Sequence, residues 1–288
     1  DVSSYDVMQQ GKLIGHIYFD LYAREGKQSG AWMNSAQNRN MDNGEARLPI
    51  AYIICNFTKP IGAKPSLLSF DDVQTLFHEM GHGLHHLLTT IDNSAIAGIN
   101  GVEWDAVELP SQFMEYFTWD YAILRTITAH VDTGAELPAE LFAKVLAARH
   151  YQSGLQMLRQ LEFAIFDLKL HDEYNSNTAN YLQLLNQVRQ EISVLQAPEY
   201  NRFANSFGHI FAGGYAAGYY SYKWAEVLAC DVFSRFDGKS GAELSALGKQ
   251  FCQTILSQGS LRPMMENFKT LMGREPQIEA LIKYSGMN

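Results

Sequence analysis

From Ser69 to Leu88 apolar residues recur with a period near 3.6, which commits this stretch to a helix with one face that other structure must cover. At about 100° per residue, Val73, Leu76, Phe77, Met80, Leu84, Leu87 and Leu88 share one sector about 120° wide. His78, His82 and His85 gather opposite. One face is suited to packing and the other to presenting imidazoles. Ser69 stands where a helix cap stands, and Asp72 stands where a capping-box acid would reach back to it. Both Asp71 and Asp72 suit the positive end of the helix dipole.

The rest of the chain divides around this helix. Before it, Leu13–Tyr22 and Ile50–Phe57 are rich in Ile, Tyr and Phe and are separated by Gly- and Asn-containing stretches, which predicts a small antiparallel sheet. After it, Leu, Ala, Gln and Glu dominate at helical spacing, and helices are expected over about 105–130, 138–174, 178–195, 215–236, 241–258 and 264–285. The asparagine-rich turn at 175–180 and the glycines at 213, 214 and 218 are too short to separate domains. The expectation is one mainly α domain over 1–288, with a sheet region at 1–68 and a helical region at 69–288.

Composition narrows the partners. With 22 Lys and Arg against 31 Asp and Glu, the net charge of -9 and the lack of a basic run argue against nucleic acid. No stretch approaches the roughly 18 apolar residues of a membrane span, so no membrane partner is expected. Cys55, Cys230 and Cys252 are odd in number and lack C-x-x-C spacing, which fits buried free thiols in a reducing cytoplasm. A start at Asp1, without methionine, suggests a chain that begins inside a longer gene product.

The helix carries His78-Glu79-Met80-Gly81-His82, the H-E-x-x-H pattern. Histidines at i and i+4 lie one above the other, within reach of a single zinc ion. Glu79 is turned aside by about 100°, which sets its carboxylate beside a metal-bound water as a general base. Gly81 and Gly83 each cost about 1 kcal/mol relative to alanine inside a helix, so close approach of another backbone or of substrate is expected there. A catalytic zinc needs a third protein ligand. Glu103, Asp105, Glu108 and Glu115 are the candidates, and Glu108, Gln112 and Glu115 share a helical face that Pro110 near its start does not disturb.

A second cluster runs from Phe207 to Tyr222, with His209 and four tyrosines in sixteen residues. Tyr215, Tyr219 and Tyr222 fall at i, i+4 and i+7 behind the pair Gly213-Gly214. Spacing allows a packed aromatic stripe, or phenol and imidazole donors aimed at the oxyanion that forms when water adds to a peptide carbonyl.

At these residues the chain resembles the thimet-oligopeptidase family of zinc metallopeptidases. The matching blocks are Phe19 to Glu25, Gly30 to Met33, Cys55 to Phe57, Leu76 to His86, Trp104 to Glu115, Arg159 to Phe163 and His209 to Tyr222. Carried over by position, the resemblance implies that His78, His82 and Glu108 bind one zinc and that Glu79 is the base. It further implies that His209 and Tyr215 stabilise the tetrahedral intermediate, with Tyr219 and Tyr222 contacting substrate. The implied fold is the zincin-like catalytic half of a two-lobed helical oligopeptidase acting on short peptides. Met80 replaces a frequent phenylalanine of the family. The family's N-terminal helical half, the other wall of its substrate channel, is missing from this sequence and becomes an expected partner. The alternative is a non-catalytic zinc- or peptide-binding fragment that needs that half for activity.

Overall fold

The structure is a computed structural model that describes residues 2–172, 174–175 and 180–287. The expected turn at 175–180 and the adjoining helix ends lie largely outside the described residues.

Six strands open the chain: β1 (Ser3–Gln9), β2 (Lys12–Tyr22), β3 (Trp32–Gln37), β4 (Asn40–Asp42), β5 (Glu45–Arg47) and β6 (Ile50–Phe57). The main sheet has the order β1-β2-β6-β3, and β4 and β5 form a separate hairpin. Gln10 and Gly11 both take positive φ (50° and 79°), the geometry that turns a two-residue hairpin with the strands' own twist. Asn43 and Gly44 (51° and 84°) repeat it. The sheet is mixed where an antiparallel one was expected, because β2 pairs parallel with β6 while β1–β2 and β3–β6 are antiparallel. The long excursion through β3, β4 and β5 supplies the crossover that a parallel pair requires. It also leaves β3 at the sheet edge, beside the metal-site residues described below.

Helix α1 (Phe70–Leu87) lies on the sheet. The capping box forms as the sequence predicts: the Ser69 hydroxyl accepts from the Asp72 N–H at 3.1 Å, and the Asp72 carboxylate accepts from the Ser69 N–H at 2.9 Å. Ala51, Ile53, Cys55, Phe57 and Leu87 are buried between helix and sheet. The imidazole face is enclosed as well, since Glu79, His82, His85 and His86 are all buried. What seals that side is α2 (Leu109–Glu115). A Cβ on Gly81 would stand 2.5 Å from both the Pro110 O and the Ser111 Cα, so the two backbones touch there. Gly83 instead faces the Ile53 Cδ1, which a Cβ would meet at 3.0 Å. The close approach expected from the two glycines is thus to protein on both sides.

The remaining helices are α3 (Tyr121–Ile127), α4 (Ala139–Ala148), α5 (Ser153–Asp172), α6 (Tyr181–Ile192), α7 (Gly208–Phe211), α8 (Ser221–Phe233), α9 (Gly241–Phe251), α10 (Met264–Met272) and α11 (Glu279–Tyr284). Several expected long helices break. The 105–130 segment stops at Asp120, whose side chain caps α3 by accepting from the Ala122 N–H at 2.7 Å. The 138–174 segment breaks before Ser153, where Gln152 takes φ 54°, and the last segment ends a helix on Gly273 at φ 73°. α2, α8, α10 and the π-helical turn Cys252–Leu256 surround a core centred on Phe113, Leu228, Ile255 and Phe268. A separate cluster holds Phe166, Leu185, Val188, Phe207 and Tyr219 between α5, α6 and the approach to α8.

Candidate metal centre and active site

His78 and His82, one turn apart on α1, stack edge to face with ring centroids 5.0 Å apart. Both turn Nε2 toward the same oxygen, the Glu108 Oε2, at 3.2 and 3.1 Å. A tetrahedral ion with bonds about 2.1 Å long needs ligand atoms about 3.4 Å apart. These two contacts come close to that spacing, and the ligand atoms of all three residues lie within 4.8 Å of one another. The set of two imidazoles and one carboxylate fits a catalytic zinc, which keeps one position for water or substrate. The other acids are engaged elsewhere. Glu103 accepts from the Met264 N–H at 3.1 Å, and Asp105 accepts from the Tyr220 hydroxyl at 3.2 Å. Glu115 reaches round to the far nitrogen of His78, Nδ1, at 2.6 Å.

Glu108 immediately precedes α2 and is 3% exposed. Ser111 Oγ donates to its Oε2 at 2.9 Å, and the Tyr215 hydroxyl donates to its Oε1 at 2.5 Å. Burial works to raise its pKa, but the imidazoles of His82 and His78 outweigh burial and hold it well below the usual carboxylate range. His78 is pushed the other way: burial acts to lower its pKa, and Glu108 and Glu115 together raise it well above the usual value. Glu79 is 4% exposed with its pKa raised by burial, the nearby imidazoles opposing. Its Oε2 is buried without a hydrogen-bond partner among the described residues. A carboxylate so placed, next to a candidate cation and with one oxygen unpaired, is suited to accept a proton.

The tyrosine cluster converges on the same place from the far part of the chain. Tyr215 and Tyr219 precede α8 in turns, so the helical face expected from their spacing begins only at Ser221. What holds them is Asp167 of α5, fully buried, whose Oδ1 accepts from the Ala217 N–H at 3.0 Å and whose Oδ2 accepts from the Tyr219 N–H at 2.9 Å. No local spacing signals that residue, because its partners lie 50 positions away. Tyr215 stacks on Tyr222 at 4.7 Å and meets Trp104 edge-on at 4.7 Å. Gly214 (φ 84°) lets the chain pass Trp104, whose ring a Cβ would meet at 3.3 Å. Burial and the neighbouring Glu108 raise the Tyr215 pKa, so its phenol stays protonated. Tyr219 is a core residue, 8% exposed, packed on Phe163 and Phe207, and its hydroxyl donates to Gln160 Oε1 at 2.9 Å. His209 is exposed, its ring centroid 5.6 Å from Tyr219, 6.0 Å from Tyr222 and 6.5 Å from Tyr215.

Two cavities flank the triad. One, of 510 Å³, is bordered by Trp32, Met33, Glu79, His82, Glu108 and Tyr215. The other, of 810 Å³, runs past Glu115, Trp119, Arg149, His209 and Tyr219. His78 and Tyr222 border both, so the two cavities lie on either side of these side chains, next to the metal position.

The family model for peptidase family M3 matches residues 1–287, and the chain belongs to that family. It is 49% identical over 282 residues to oligopeptidase A of Salmonella typhimurium, which covers 97% of this chain and 41% of that protein. It is 35% identical over 289 residues to the thimet-like oligopeptidase of Dictyostelium discoideum, covering 99% of this chain and 42% of that protein. The chain thus spans about two fifths of the length of these relatives. A structure of Pyrococcus furiosus carboxypeptidase shares the fold, with a TM-score of 0.58 at 15% identity, covering 94% of this chain and 54% of that one.

Proposed function

We propose that residues 1–288 form the catalytic domain of a zinc-dependent metallo-oligopeptidase that cleaves internal bonds of short peptides. The observation that carries this reading is the convergence of His78, His82 and Glu108 on one point, with Glu79 buried beside it. His78, His82 and Glu108 hold the ion, and Glu115 fixes the tautomer and direction of His78. Bound zinc supplies polarisation of the scissile carbonyl and a lowered pKa for water. Glu79 takes the proton of the attacking water and delivers it to the leaving amine. Tyr215 and His209 donate to the oxygen that gains charge, an interaction worth about 3–4 kcal/mol per donor, and Tyr222 contacts the substrate chain, with Tyr219, its hydroxyl held by Gln160, meeting it only as part of the wall of the larger cavity. Space on both sides of His78 is consistent with attack within a peptide instead of at its end.

The chain spans about two fifths of the length of these relatives, and we place the family's N-terminal half opposite this cleft as a wall that admits short peptides. No helix among the described residues is long and apolar enough to cross a membrane, and we place the protein in the cytoplasm. The test is hydrolysis of an internally quenched fluorescent peptide by the wild type and by Glu79→Gln, with zinc content measured in both. A loss of at least a hundredfold in kcat with zinc retained is expected; equal rates would rule the reading out. Turnover that appears only after an N-terminal half is added would favour a non-catalytic fragment.

A further inference from the structure

Among the described residues that border the larger cavity is a cation with no ion-pair partner. The Arg149 guanidinium lies 4.6 Å from the centre of the Trp119 ring, with Tyr116 at 5.7 Å and Tyr284 at 6.0 Å. This is an aromatic cage, and no side-chain hydrogen bond or ion pair of Arg149 occurs among the described residues. The groups that could neutralise it are committed. Glu115 holds His78, Glu226 pairs with Lys223, and Asp237 takes the Tyr284 hydroxyl and Lys283. Asp71 borders the same cavity from the first turn of α1 but makes no ion pair with Arg149. A guanidinium has five N–H donors in a planar fork that matches a carboxylate. Caging its face on Trp119 leaves those edge donors for a ligand and fixes their direction.

We propose that Arg149 is the anchor for a peptide carboxylate at the far end of the cleft, a specificity-determining contact that rests on the peptidase reading above. The first turns of α1 give the scale of the distance. Trp119 packs on Phe70 at 4.3 Å, which puts the Arg149 cage near the N-terminal end of α1, and Phe70 precedes His78 by eight residues, about 12 Å along the axis. An extended peptide advances about 3.3 Å per residue, so on that scale we place the anchored carboxylate about three to four residues from the bond at the metal. The free C-terminus of a short peptide and an Asp or Glu side chain at that position offer the same group. Anchoring a terminus there would favour peptides that end three or four residues beyond the cleaved bond, so Arg149 would act as a ruler.

Equilibrium binding to the full-length protein carrying Glu79→Gln separates this anchor from turnover. Three labelled peptides share one sequence: the first has a free C-terminus three residues beyond the bond that the wild type cleaves, the second has a C-terminal amide, and the third has the amide plus glutamate in place of its last residue. Binding of the first or third about tenfold tighter than the second is expected, and which of them gains identifies the source of the carboxylate. In Arg149→Met that ratio should fall to near one. Arg149→Lys, which keeps the charge but loses the planar fork, should give an intermediate ratio and serves if Arg149→Met does not fold. Equal binding of all three peptides, or a preference that survives Arg149→Met, would overturn the anchor. Because the readout is a ratio of affinities in an inactive background, its failure is distinct from a wild type that does not cleave, which would strike the peptidase reading instead.

Discussion

Glu115 supplies no atom to the candidate metal position, yet it governs how His78 presents Nε2 by accepting from Nδ1 at 2.6 Å. Partners of this kind set ligand orientation and basicity. In Glu115→Ala, zinc affinity measured by competition with a chromophoric chelator should therefore fall about 10–100-fold; unchanged affinity would show that α1 alone orients the ring. Tyr215 poses a sharper question, because its hydroxyl donates to Glu108 in this structure and is assigned to the oxyanion during reaction. Tyr215→Phe separates the two roles. A donor to the oxyanion is worth about 3 kcal/mol, so kcat should fall by about 10²-fold at saturating zinc. A donor that only steadies Glu108 would lower zinc affinity, and kcat would recover when zinc is raised.

Between elements, the contact of α1 with α2 decides whether the triad exists, because it sets Glu108 against the two imidazoles. Gly81→Ala would drive a Cβ into the backbone of Pro110 and Ser111, which cannot swing away as a side chain can. Destabilisation of about 1–3 kcal/mol and weaker zinc binding are expected. Gly83→Ala meets only the end of Ile53 and gains up to about 1 kcal/mol of helix propensity, so its melting temperature should stay within a few degrees of wild type. Equal effects of the two would remove the packing argument. Both glycines were legible in the sequence, because each breaks a local rule inside an otherwise consistent helix, and so were the capping box and the histidine spacing. What was not legible is set by distant chain. Strand order and direction are tertiary, so the parallel β2–β6 pair left no local trace. Asp120 and Gln152 interrupt patterns whose apolar period continues across them, and Asp167 lies 50 residues from the N–H groups it holds. Glu162 belongs with these: 2% exposed, it accepts from Arg159, Arg189 and Ser193 and ties α5 to α6. Burial acts to raise its pKa, but the Ser193 hydroxyl and Arg189 outweigh burial and leave it lowered. A depressed folded-state value stabilises above the unfolded value of about 4.5 and is lost as pH falls through the folded one. The urea midpoint should fall with acid below about pH 4.5, and Glu162→Gln should flatten that slope while lowering stability at pH 7; parallel slopes would exclude the carboxylate as the cause.

Across the molecule, the candidate site is where three packed clusters meet. His78 and His82 come from the helix over the sheet, Glu108 from the edge of the core around Phe113, and Tyr215 from the chain packed on α5 and α6. Local hydrogen bonds already join the second and third, since Tyr215 reaches Glu108 and the Gln112 amide donates to the Tyr222 carbonyl at 3.0 Å. The first and second are joined at the site through Glu108 and its two imidazoles, and an ion there would be bound by both clusters at once. Such an ion stabilises the folded chain by mass action, about 4 kcal/mol at a thousandfold excess over its dissociation constant. For a chain of this size that corresponds to a rise in melting temperature on the order of 5–10 °C. Chelation should therefore lower the melting temperature by that amount and restored zinc should recover it. In Glu108→Ala, which keeps both imidazoles but removes the carboxylate that completes the set, the difference between chelated and zinc-loaded samples should nearly vanish. A wild type whose melting temperature ignores chelation while its zinc is demonstrably removed would mean that the ion does not bridge the two clusters, and the site would then have to be assembled by packing alone.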